Sequence, residues 1–301
     1  MSMFQKAERR KIKLRLALCG PSGSGKTYSA LKIAQGIGGK IALVDTENGS
    51  GSLYSHLCDY DAAEIAPPFS VEKYIAAIKD AEAAGYDVLI IDSLTHAWAG
   101  QGGLLEEVDK RQTGKANSFA AWRDVTPMHN KLVDAILQSK LHIIVTMRSK
   151  TAYEIEKDDR GKAVPVKKGM APIQRDGLEY EFTVVLDLDN KKHVAEAGKD
   201  RTGLFDSKVF VPDESTGKTI IDWLESGAEP PKPRITDIQR KKMFAMSKDA
   251  GMNPESIREY IHTTYNVASS NDLTVEQAND MIEWLDKRII EYKEQQEAAN
   301  E

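Results

Sequence analysis

Residues 14–37 read LRLALCGPSGSGKTYSALKIAQGI, and this stretch decides the architecture. Leu14 to Cys19 is a short apolar run with the length of a buried strand. It breaks at Gly20-Pro21-Ser22-Gly23-Ser24-Gly25-Lys26-Thr27, which satisfies the pattern G-x-x-x-x-G-K-[ST]. Apolar residues then recur at Ala30, Leu31, Ala34 and Ile37 with the period of a helix. Strand, glycine turn and helix in that order make a phosphate cradle. The glycines let the main chain wrap closely, so that its N–H groups point at an anion, and the helix adds the positive end of its dipole. Lys26 is placed to reach the β- and γ-phosphates, and Thr27 offers its hydroxyl to Mg2+. The expected nucleotide contacts are therefore Gly20, Pro21, Ser22, Gly23, Ser24, Gly25, Lys26, Thr27 and Tyr28, with ATP and Mg2+ as the ligands.

Downstream, apolar runs and helical patterns alternate. Lys40 to Asp45 and Tyr86 to Asp92 read as buried strands that end in acids, and Leu141 to Met147 as a third. Val71 to Ala84 is helical by pattern, as is Pro127 to Lys140, with Thr126 as its cap and Pro127 in its first turn. Thr183 to Val211 looks strand-rich. Unbroken apolar strands between helices indicate an α/β fold with a mainly parallel sheet flanked by helices on both faces. An acid at the C-terminal end of such a strand faces the crevice where ligands sit. Asp92 is thus expected beside Thr27 as the partner of Mg2+ through water, and a carboxylate in Asp45-Thr46-Glu47 is placed to orient an attacking water.

Four segments follow from composition. Residues 1–11 form an N-terminal arm and residues 12–227 the α/β core. Residues 228–234 are a proline-rich linker, which cannot continue a helix or strand. Residues 235–301 read as a small all-helical module with a fraying tail. Its helices open at Thr236 with Gln239, at Asn253 with Pro254, and at Thr274 with Gln277.

The chain has 301 residues, 41 Lys and Arg against 46 Asp and Glu, and 41% hydrophobic residues, which excludes wholesale disorder. No apolar run approaches the roughly 18 residues of a membrane span, so no membrane partner is expected. The apolar stub before Gly20 is too short for a secretory leader. Cys19 and Cys58 read as reduced thiols of a cytoplasmic protein. The six histidines lack metal-ligand spacing and read as structural.

The phosphate loop, the acid of Asp45-Thr46-Glu47, the pair Asp92-Ser93 and the turn Lys199-Asp200-Arg201-Thr202-Gly203 together resemble the RecA-like ATPases. Phrases such as GPSGSGKTYSALKIA and KDRTGLF are similar to the phage-encoded RecA-like single-strand annealing ATPases, and the likeness spans residues 12–225. It implies a RecA-like P-loop NTPase core in which Glu47 activates water and Lys199 and Arg201 reach into a neighbour's nucleotide. Self-association as a ring or filament follows from that sharing. In the same family Thr146 and Arg148 would sense the γ-phosphate. Phe4 and Ala7 match the Phe-x-x-Ala pattern by which eukaryotic recombinases dock on the next protomer. The segment 148–175, with Asp159-Arg160-Gly161 as a hairpin tip, would face single-stranded DNA. Lys150, Arg160, Lys162, Lys167 and Lys168 would neutralise its phosphates without reading sequence.

The implied function is an ATPase of recombination or annealing, DNA-stimulated, in the cytoplasm of a bacterial host, with a single-strand-binding protein as a further partner. A ring-forming helicase or helicase loader fits the same motifs. So does an ATP-dependent switch that binds a protein partner and no DNA.

Overall fold

The computed structural model describes residues 4, 6–112, 118–157 and 163–300. The chain divides into two compact units, Met1–Ala228 and Glu229–Glu301.

In the first unit the strands are β1 (Arg15–Gly20), β2 (Ile41–Asp45), β3 (Asp61–Glu64), β4 (Val88–Asp92), β5 (His142–Lys157), β6 (Ala163–Pro172), β7 (Val184–Leu188), β8 (Ala195–Asp200) and β9 (Val209–Phe210). The helices are α1 (Lys26–Ile37), α2 (Val71–Ala83), α3 (Thr95–Ala99), α4 (Leu104–Gln112), α5 (Ser118–Gln138) and α6 (Glu214–Glu225). The sheet runs β3-β2-β4-β5-β1-β7-β8-β9, with β6 paired to β5 off this path. From β3 to β7 every neighbour is parallel; β8 and β9 add antiparallel strands at one edge. One strand, β5, therefore separates β1 from β4. The register sets Leu18 beside Thr146 and Asp45 beside Asp92, so the phosphate loop and the strand-end acids gather at the C-terminal edge of the sheet.

Alternate residues of each strand enter opposite apolar layers. Leu89, Ile91, Ile143 and Val145 pack with Tyr74, Ile78, Leu132 and Ile136 of α2 and α5. Leu16, Leu18, Ile90 and Ile144 pack with Leu31 and Ile33 of α1 and Ile220 of α6. Both faces of the strands are thus covered, which is why they read as unbroken apolar runs. Helices α1 and α6 touch through their backbones. A Cβ at Gly36 would fall 2.0 Å from the Glu214 carbonyl, and one at Gly217 2.1 Å from that of Ile33.

Two sequence expectations are corrected. Helix α5 starts at Ser118, not at Pro127, and Pro127 lies inside it. An interior proline costs about 3 kcal/mol, but Ala121, Val125, Leu132 and Ile136 continue one buried stripe across it and offset that loss. Strand β5 does not stop at Met147 but runs for 16 residues. Its second half pairs with β6 from Ser149 opposite Pro172 to Lys157 opposite Ala163, a hairpin arm whose tip lies outside the described residues. Among the described residues α9 (Val275–Asn300) is helical throughout, and its tail is built of Glu, Gln, Lys and Ala, which favour helix without packing.

The second unit also holds α7 (Asp237–Asp249) and α8 (Pro254–Tyr265). Thr236 and Gln239 form a reciprocal capping box on α7, and Asn253 caps α8. Met243, Ile257, Ile261, Leu273, Met281 and Leu285 make its core.

At the other end of the sheet from the strand-end acids, the buried ring of His142 takes the Leu14 N–H on Nδ1 at 3.2 Å and faces Lys13 Nζ at 3.2 Å. Burial first, then the Lys13 and Arg15 charges, lower its pKa from 6.5 to about 4. Below pH 6.5 the unfolded chain binds a proton that the native chain refuses until about pH 4. Stability is therefore fully present above that window and falls as the pH falls through it, by about 3 kcal/mol at its lower end. Urea midpoints measured from pH 7 to 4 are expected to drop along this profile. His142→Gln should flatten it, and an unchanged slope in that variant would overturn the assignment.

Candidate active site

The phosphate loop leaves β1 at Gly20. A Cβ there would sit 2.4 Å from Ser24 Oγ and 2.8 Å from the Leu188 carbonyl, so only glycine fits. Gly23 and Gly25 hold φ values of +75° and +84°, which side chains disfavour. Helix α1 has no side-chain cap and no acid in its first turn. Among the described residues, the N–H groups of Lys26, Thr27 and Tyr28 find no backbone acceptor, and buried Ser24 Oγ finds no partner. Orphaned donors at an uncapped helix start are what a polyphosphate satisfies, so the residues fit such a ligand. Lys26 Nζ donates to the Gly20 and Pro21 carbonyls at 3.0 and 2.8 Å. Burial pulls its pKa below the lysine range, with the Asp92 and Glu47 charges acting against that.

Asp92 ends β4, buried. Thr27 Oγ1 donates to its Oδ2 and Thr146 Oγ1 to its Oδ1, both at 2.5 Å. Burial raises the Asp92 pKa, and the two hydroxyls resist that rise. A hydroxyl and a carboxylate are the hard oxygen ligands that Mg2+ takes, and so fit that ion. Among the described residues no cluster of three or more His, Cys, Asp or Glu can hold a metal by itself. A cation here therefore needs the phosphates of the nucleotide as further ligands.

The two acids after β2 divide their work. Asp45 is buried and accepts the N–H groups of Glu47 at 2.5 Å and Gly51 at 2.7 Å, which shapes the loop. Glu47 is left with its carboxylate at the surface of the crevice. Arg148 donates to Glu47 Oε1 from Nε at 3.0 Å and from Nη2 at 2.9 Å. Arg148 is itself placed by its N–H on Thr95 Oγ1 at 2.9 Å. Next to them Thr46 Oγ1 takes the Ser93 N–H and lies 2.7 Å from His96 Nδ1, whose ring stacks on Phe69. Burial, then the Arg148 charge, lowers the His96 pKa.

Lys26, Thr27, Asp92, Thr146, Glu47 and Arg148 thus meet at one edge of the sheet. Lys199 and Arg201 do not join them. They lie at the N-terminal end of β7, where Lys199 Nζ donates to the Glu179 and Tyr180 carbonyls and Arg201 Nη2 to that of Tyr180 at 2.8 Å. Lys150 is exposed on β5, and Lys167 and Lys168 lie on β6. Arg160 and Lys162 fall outside the described residues. Phe4 and Ala7 are exposed. The Arg148–Glu47 pair escaped the sequence, because the pairing spans 101 positions. His193, against Gly25, escaped it because nothing in the spacing marks it.

A family model for the AAA domain matches residues 12–222. The chain belongs to the AAA domain family. It is a P-loop ATPase by that membership, and such domains generally bind ATP with Mg2+. Among the curated proteins no match is found. The matched span of this AAA domain holds the sheet, the phosphate loop and most of α6. No helix of the described residues is long and apolar enough to cross a membrane.

Proposed function

We propose that this AAA-domain protein is a RecA-like ATPase of recombination or annealing that binds single-stranded DNA and hydrolyses ATP at the interfaces of a ring or filament. The continuity of β5 carries this reading. One strand holds Thr146 on Asp92 and Arg148 on Glu47, and then runs on into the arm that bears Lys150, Lys167 and Lys168. The Ile173 N–H on the Arg148 carbonyl, at 2.7 Å, closes the base of that arm. A polyanion gripped by the arm therefore acts on the partner of Glu47.

In hydrolysis the loop N–H groups and Lys26 hold the β- and γ-phosphates. Thr27, and Asp92 through water, would hold Mg2+, which when bound would supply positive charge opposite the transferring phosphoryl group. Glu47 is the general base. Both Arg148 contacts fall on Oε1, which leaves Oε2 to accept the proton of water as its oxygen attacks the γ-phosphorus and the β–γ bridge breaks. Lys199 and Arg201 act on a neighbour's nucleotide, and Phe4 and Ala7 dock one protomer on the next. The helical module would bind either DNA or a single-strand-binding protein.

Steady-state ATPase rates with and without single-stranded DNA, across protein concentration, test the reading. Turnover is expected to rise about tenfold with DNA and to rise with concentration, while added salt weakens the stimulation. A slow rate indifferent to DNA and concentration would leave a nucleotide switch that acts on a protein partner. Continuous unwinding of a duplex would favour a helicase instead.

A further inference from the structure

Glu47 directly follows Thr46, just past the end of β2, and Asp92 directly precedes Ser93, just past the end of β4. Thr46 and Ser93 are both buried, and they tie the two strand ends together. The Thr46 N–H donates to the Asp92 carbonyl at 2.7 Å, and Thr46 Oγ1 accepts the Ser93 N–H at 2.8 Å. One more contact closes this clasp. His96 Nδ1, from α3, lies 2.7 Å from the same Thr46 oxygen. The hydrolytic scheme uses neither Thr46 nor His96.

The Thr46 hydroxyl has one proton and two acceptors in reach, the imidazole at 2.7 Å and the Ser93 carbonyl at 3.2 Å. The shorter contact gives that proton to Nδ1, so the ring carries its own proton on Nε2. Burial, then the Arg148 charge, lowers the His96 pKa and keeps the ring neutral, as an acceptor must be. The ring is also seated. It stacks on buried Phe69 at 4.8 Å between centroids, and a Cβ on Gly100 would fall 2.7 Å from Phe69 Cδ2, which leaves that seat no slack. Immediately after Glu47 the chain turns through two left-handed residues, Asn48 at φ +57° and Gly49 at φ +78°. Thr46 is thus the last residue tied to the end of β4 before the chain leaves the sheet.

We propose that Thr46 and His96 are positioning residues, whose side-chain bond locks the end of β2 to the end of β4 and so sets the distance from Glu47 to Asp92. The base and the cation that Asp92 would hold act on one phosphoryl group. The distance between them therefore fixes where the attacking water stands relative to the γ-phosphorus. Neither side chain enters the chemistry, and each acts through the strand ends it ties. This rests on the reading of Glu47 as the base and adds to it the device that aims it. A misplacement of about 1 Å costs up to about a hundredfold in rate.

Single-turnover hydrolysis rates and ATP affinity by titration calorimetry, both on the full chain, read alignment and binding separately. Thr46→Val keeps the branched shape and removes the hydroxyl, while His96→Phe keeps a ring to stack on Phe69 and removes Nδ1. Each is expected to slow hydrolysis about tenfold to a hundredfold, with ATP bound as tightly as by the parent. Thr46→Val also strands the Ser93 N–H, so it should be the slower of the two. The double variant should match it, because both substitutions remove the same bond. His96→Asn sets an amide near the place of Nδ1 and should recover most of the parental rate. Parental rates in Thr46→Val and His96→Phe would overturn the proposal, as would losses that multiply in the double variant. A His96→Asn chain as slow as His96→Phe, or affinity lost in step with the rate, would return the pair to ordinary packing and overturn it too. Those outcomes leave Glu47 as the base. A parent chain that binds ATP and never hydrolyses it would overturn that reading together with this one.

Discussion

Glu47→Gln is expected to lower ATP turnover by about a hundred- to ten-thousandfold, the usual range for a general base, with ATP affinity close to that of the parent. The amide keeps the size and one oxygen of the carboxylate but cannot take a proton. It sits outside the phosphate cradle, so binding through Lys26 and the loop N–H groups has no reason to change. Asp45→Asn is the informative contrast. That carboxylate holds the Glu47 and Gly51 N–H groups, so its loss should disturb the loop and affinity together instead of turnover alone. A turnover number in Glu47→Gln within a fewfold of the parent would remove Glu47 from the chemistry. Single-turnover rates and nucleotide titration read the two quantities separately.

The position of Arg148 sharpens that expectation. A guanidinium bonded through two nitrogens to one carboxylate oxygen holds Glu47 in place, yet it also draws electron density from the base. Arg148→Ala therefore acts in two directions, freeing the carboxylate while losing its alignment. Because Arg148 opens the arm, the variant should also uncouple turnover from DNA. No pairwise count of surface ion pairs would single it out, since such pairs contribute little to stability. Its weight lies in what it joins.

How much of this was legible in the sequence depends on how local the cause is. The phosphate loop could be read because the chemistry demands particular residue types at fixed spacing. The parallel sheet could be read because strands buried on both faces carry unbroken apolar runs, as Val88–Asp92 and Ile41–Asp45 do. Strand β3 could not, since Asp61-Ala62-Ala63-Glu64 is exposed throughout and has no apolar side to betray it. The course of α5 through Pro127 depended on a buried stripe whose partners lie on other elements. Likewise the site's acids are legible as strand ends and Thr27 as the neighbour of Asp92, while the pairings with Thr146 and Arg148 are not. Thr146 was expected near the γ-phosphate and is bonded to Asp92. Arg148 was assigned the same duty and is bonded to Glu47. Long-range pairing of polar side chains leaves no period in a sequence, so it becomes visible only once the strands are in register.

Arg201→Ala is expected to cut turnover about a thousandfold or more, the loss that follows removal of a charge supplied by a neighbouring protomer. Within one chain this would be a surprising result. Arg201 lies at the end of β7 remote from the phosphate loop and bonds the Tyr180 carbonyl. The loss arises only if the group leaves that carbonyl for the next protomer's nucleotide. A rival cause must be separated, because removal of the guanidinium also frees the turn at Leu178–Glu181 and could damage the fold. Mixing resolves it. Glu47→Gln and Arg201→Ala chains are each nearly inert, but in a head-to-tail assembly of equal parts about a quarter of the interfaces join an intact Glu47 to an intact Arg201. Recovery to about a quarter of parental turnover would place Arg201 across an interface. A mixture as inert as its parts, formed from chains that still bind ATP, would return Arg201 to a structural role and take the shared active site with it.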